Sequence, residues 1–116
     1  MAFPGTYNFN YYRGDTFEFI VRPKDASGQA FDLAGYSAIF TISNSRGPIA
    51  SATFTGTAVV NTVDDVVTCT ISPGIGRNLT PSVSWVYDVQ ITNDISTFTL
   101  ITGGITVTDD ITGAGS

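Results

Sequence analysis

The chain has 116 residues, enough for one domain with a single core, and its 42% hydrophobic and 13% charged content fits a globular protein. A formal net charge of −5 would repel a phosphate backbone, and the basic residues Arg13, Arg22, Lys24, Arg46 and Arg77 are too scattered to form a nucleic-acid-binding stripe. One cysteine, Cys69, excludes an intrachain disulfide, and the absence of histidine removes the commonest general base and metal ligand.

Alternation dominates the chain. Tyr7, Phe9 and Tyr11 share one face of a first strand, with Asn8 and Asn10 opposite. Arg13-Gly14-Asp15 follows, the tripeptide that many adhesion receptors recognise. It also has what a tight bend requires: a glycine with free φ, and an aspartate able to bond nearby amides. With strands pressing on both sides, it reads as a corner and not as a ligand. Phe17, Phe19 and Val21 then share a face against Glu18 and Arg22, and Pro23 stops the strand because it has no N–H to donate. Asp25, Ser27 and Gly28 form a turn, and an extended piece, 30 to 33, leads through Gly35 into a strand with Ala38, Phe40 and Ile42 aligned. A turn at 45 to 48 precedes SATFT, with Ala52 and Phe54 on one side.

The second half continues in kind. Val67, Cys69 and Ile71 align on one strand, and SPGIGRNLTP is the one long non-strand segment, with a helical turn expected near Leu79. Trp85, Tyr87, Val89 and Ile91 share a face, TNDIS turns the chain, and 97 to 102 returns. Gly103-Gly104 marks a bulge or kink before ITVT. No long window has a helical period, so about eight short strands predict an all-β, antiparallel sandwich. The expected organisation is an N-terminal arm and first strand over 1–10, one sandwich domain over 11–112, and a tail over 113–116.

The residue types argue against catalysis. Cys69 lies on the apolar face of its strand with no imidazole to activate it, and reads as a small core hydrophobe. Zinc would need several Cys or His ligands, which the chain lacks. The aspartates sit beside turns, and neither Asp64-Asp65 nor Asp109-Asp110 belongs to a spaced calcium loop. A hydrolase using two carboxylates is the weakest class. Asn78-Leu79-Thr80 matches a glycosylation pattern, but MAFPGTYNFNYY lacks the features of a secretory signal, and the expectation is synthesis in a cytoplasm. No apolar run is long enough for a membrane-spanning helix, so neither a membrane nor a cofactor is expected. Phe9, Phe17, Phe19, Phe40, Trp85 and Tyr87 read as core, with Tyr12 and Phe3 open.

Arg13-Gly14-Asp15-Thr16 before a strand, Asp25 and Gly28 in a turn, and Asp32-Leu33-Ala34-Gly35-Tyr36 before the next strand form a recognisable succession. With Trp85 to Ile91 and Gly104 to Thr108, it resembles the N-terminal immunoglobulin-like domain of phage upper baseplate proteins. The likeness runs from about Tyr11 to Thr112. It implies an immunoglobulin-like sandwich and a non-enzymatic structural protein of a tailed-phage virion, present in many copies and docked on other virion proteins. The baseplate family continues into receptor-binding segments, whereas this sequence ends at Ser116. Capsid decoration is therefore the leading expectation, with a tail or baseplate adaptor as the alternative and a carbohydrate- or receptor-binding module as a different class. Edge strands offer β-augmentation as a docking mode, and the partner-docking candidates are Phe3, Pro4, Tyr7, Phe9 and Tyr12.

Overall fold

The structure is a computed structural model that describes residues 5–45 and 53–109. Eight strands and one helical turn follow in order: β1 (Gly5–Thr6), β2 (Phe9–Tyr12), β3 (Phe17–Val21), β4 (Ser37–Ser43), β5 (Thr53–Asn61), β6 (Val66–Ile71), α1 (Pro73–Gly76), β7 (Trp85–Thr92) and β8 (Thr97–Thr108). They hydrogen-bond in the order β1-β8-β7-β4-β5-β6-β3, with β2 also on β8. The sheet curls until its last strand faces the others. Phe19 on β3 lies 5.4 Å from Phe40 on β4 and 5.8 Å from Tyr87 on β7. Phe9 on β2 stacks on Phe17 of β3 at 4.6 Å.

Alternation explains which residues fill the space between. Phe9, Tyr11, Phe40, Ile42, Val67, Cys69, Ile71, Trp85, Tyr87, Val89 and Ile91 are buried, while Phe17, Phe19 and Phe54 pack partly buried against them. Every buried side chain in this core belongs to an apolar or aromatic residue type. Hydrophobic burial is thus the main stabilising contribution, as a chain without disulfides requires.

The all-β expectation holds, but the sheet is mixed and open, not antiparallel throughout. β1 and β2 both run parallel to β8, pairing Gly5 with Ile101 and Phe9 with Ile105. Between them the chain breaks at Tyr7–Asn8, opposite Gly103-Gly104. There Tyr7 N–H donates to the Thr102 carbonyl at 3.0 Å, and the Asn8 side chain accepts from Gly104 N–H at 2.8 Å. A β-carbon at Gly103 would collide with the Tyr7 carbonyl, so the glycine pair marks the place where one backbone passes close to another; the bulge expected there lies instead between Val89 and Gln90, opposite Leu100, and β8 pairs regularly through Gly103-Gly104.

Other differences have local causes. β5 does not end at Thr55 but runs to Asn61, its first half pairing β4 and its second half β6. The crossing is at Gly56, where a β-carbon would press on the Phe40 ring and on the Thr70 carbonyl. The helical turn lies earlier than Leu79, at Pro73–Gly76, with Ser72 capping Ile75 N–H. Leu79 is buried in the turn that follows. The divide between residues 10 and 11 falls inside β2. Ala52, most of the 45–48 turn and the 113–116 tail lie outside the described residues. No helix among the described residues is long and apolar enough to cross a membrane.

Candidate docking surface

The Arg13-Gly14-Asp15 stretch joins β2 to β3. Asp15 N–H donates to the Tyr12 carbonyl at 3.0 Å, and Gly14 has φ +89, the arrangement of a type II turn with glycine at its third position. The Arg13 guanidinium donates twice to the Arg77 carbonyl, at 3.1 and 2.9 Å, and pairs with Asp109 at 3.4 Å. The Tyr11 hydroxyl donates to the Asp15 carbonyl at 2.6 Å. Arginine, glycine and aspartate are therefore built into a corner braced against the turn after α1. The turn is closed by the Asp15 backbone N–H as donor, a different bond from the one expected of its carboxylate as acceptor.

Four other carboxylates are similarly committed. Asp25 accepts from Ser27 N–H, Ser27 Oγ and Gln29 N–H, and Asp32 accepts from Ala34 N–H. Asp65, at φ 53, accepts from Leu33 N–H, and Asp64 accepts from the Asn61 side chain. Among the described residues, no group of three His, Cys, Asp or Glu converges on a point that could hold a metal. Cys69 is buried, and burial pushes its thiol up to about 12, which keeps it from acting as a thiolate nucleophile.

The aromatic candidates separate by exposure. Phe9 is only 8% exposed and stacked within the core, so its ring is not available to a partner, a correction that follows from its position over Phe17. Tyr7 is 44% and Tyr12 59% exposed. Phe3 and Pro4 lie outside the described residues. Trp85, the natural sugar-stacking platform, is 3% exposed, and its indole N–H donates to the Thr80 carbonyl at 2.9 Å.

Depressions among the described residues include two. One, of about 360 Å³, lies between Asn8, the 81–84 loop and residues 104–107 of β8. The other, of about 430 Å³, is lined by Ile20, Arg22, Lys24, Asp64, Asp65 and their neighbours. Sequence reasoning missed what the strand order makes plain: among the described residues, β3 pairs only with β6 and ends the sheet. It carries Glu18 and Ile20 outward, and Arg22 follows its last residue, all three exposed. The candidate surface is therefore made of sheet edges and exposed side chains. No protein-family model matches the chain, and no curated protein matches it in sequence.

Proposed function

We propose that this chain is a non-enzymatic structural subunit of a tailed-phage virion that docks on a larger assembly, with capsid decoration ahead of a tail or baseplate adaptor role. The observation that carries the reading is the position of the residues behind the family resemblance. Arg13-Gly14-Asp15 forms the β2–β3 corner, Asp32 to Tyr36 forms the turn into β4, and Trp85 to Ile91 lies in β7, hydrogen-bonded on both sides. These residues are fold determinants, so a shared pattern in them argues for a shared architecture.

The finer fold reading is an immunoglobulin-like sandwich. In its support, β5 passes from β4 to β6, dividing the strands into two groups, and aromatic contacts from β3 bridge them. The fixed Cys69 and the turn-capping carboxylates support a role without catalysis. A glycan-binding module is the weaker reading, because Trp85 is buried and the exposed rings among the described residues are those of Tyr7 and Tyr12. Fractionation of virions that encode this chain into heads and tails, with peptide detection by mass spectrometry, tests the proposal. The protein is expected in heads; tails would select the adaptor role, and absence from both would refute a virion role.

A further inference from the structure

We infer that β3 is a self-pairing edge, through which two copies of this chain join antiparallel about a two-fold axis at Ile20. This goes beyond the virion reading and does not depend on it. β3 is the terminal strand of the sheet, with β6 as its only strand partner among the described residues. An open edge presents backbone N–H and C=O groups to any strand that can align with it, and proteins ordinarily protect such edges with charges that repel or misalign.

The charges here have the opposite property. Glu18 and Arg22 lie two residues either side of Ile20 and project to the same face, since Val21 and Pro23 between and beyond them are buried. In an antiparallel pairing with Ile20 opposite Ile20 of a second copy, each Glu18 faces the other copy's Arg22. Both cross-strand ion pairs form at once, as a two-fold interface requires. Within the described residues neither Glu18 nor Arg22 has a partner of its own, and both are exposed.

Apolar surface continues the same row. Ile20 is 44% exposed and sits opposite Thr68 of β6, which sits opposite the exposed Val59 of β5. Pairing two copies would join these rows into one strip across the combined sheet. Pro23, which cannot donate, limits the ladder to the residues that carry the complementary charges. The net charge of −5 on each copy opposes association, so the local complementarity must provide specificity.

Sedimentation velocity on the full chain and on E18R and R22E tests the inference. The wild type is expected to dimerise, while each single reversal makes the strand uniformly charged and weakens self-association by on the order of tenfold to a hundredfold. An equimolar mixture of E18R and R22E is expected to recover a dimer, because a basic strand then meets an acidic one. Both positions are exposed, and unchanged thermal melts would establish that the variants fold. A wild type monomeric at millimolar concentration, single variants associating as tightly as wild type, or a mixture that stays monomeric would each overturn the inference.

Discussion

Tyr11 and Gly76 compete for one volume: the tyrosine hydroxyl that donates to the Asp15 carbonyl lies where a β-carbon on residue 76 would stand. Gly76 is therefore fixed by packing, through a side chain far away in sequence. Gly76→Ala should destabilise the chain by about 1–3 kcal/mol through overpacking. Tyr11→Phe should cost about 1–3 kcal/mol by leaving the Asp15 carbonyl without its donor. Because removing the hydroxyl also makes room for the alanine, the double variant should be more stable than the sum of the single losses predicts. Urea denaturation of all four proteins measures the coupling, and strict additivity would contradict this geometry.

The same corner makes a prediction about adhesion. The Arg13 guanidinium is tied to the Arg77 carbonyl and to Asp109, so it is not presented at the tip of a free loop. Purified integrin ectodomain should show no affinity for this chain that is lost in Asp15→Ala. Asp15-dependent binding would mean that the corner opens.

Much of this organisation was legible in the sequence, because alternation reports which face a side chain takes. Tyr11, Phe40, Tyr87 and Ile91 are buried as their spacing requires, and Asp25 with Gly28 and Asp32 with Gly35 make the turns their chemistry suggests. Alternation says nothing about which strand lies alongside, so the parallel pairing of β1 and β2 with β8 was not legible. Glycine ordinarily weakens a strand, yet Gly56 lets β5 continue past Phe40. The symmetry of Glu18 and Arg22 about Ile20 was present in the sequence but had no meaning until β3 was seen to end the sheet.

The parallel strand is pinned at its break by Tyr87, whose hydroxyl donates to the Tyr7 carbonyl at 2.6 Å. Burial raises the Tyr87 hydroxyl above its ordinary value, which keeps it a donor well into alkaline pH. Tyr87→Phe should cost about 1–3 kcal/mol, with a local signature. Exchange of the Tyr7 amide, bonded to Thr102 O, should accelerate more than exchange of the Arg13 amide, bonded to Thr108 O. Equal acceleration at both amides, measured by NMR, would show that the bond contributes only to global stability.

Cys69 supplies a test of the core. With its thiol buried and raised to about 12, it should resist a thiol-specific chromogenic reagent at pH 8 and react at once in denaturant. Cys69→Ser would place a hydroxyl between Val67 and Ile71 on the buried face of β6 and should destabilise by about 1–3 kcal/mol. Fast labelling of the native chain would show that β6 is not packed as described.

Asp25 gives the pH dependence its sign. The Ser27 hydroxyl, then the Gln29 and Ser27 amides, donate to its carboxylate and hold it below the ordinary aspartate value. A depressed carboxyl stabilises the folded turn fully above the unfolded aspartate value, and that contribution is lost as pH falls through the lowered folded value. Acid should therefore loosen the 25–29 turn, seen as shifts of the Ser27 and Gln29 amide resonances with a midpoint below that of an unstructured aspartate. Ser27→Ala removes the largest of these donors and should move the midpoint upward. Because the donors to Asp25 all lie within residues 25–29, the change should remain local to the turn; a midpoint unaffected by Ser27→Ala would assign the depression to the backbone amides alone.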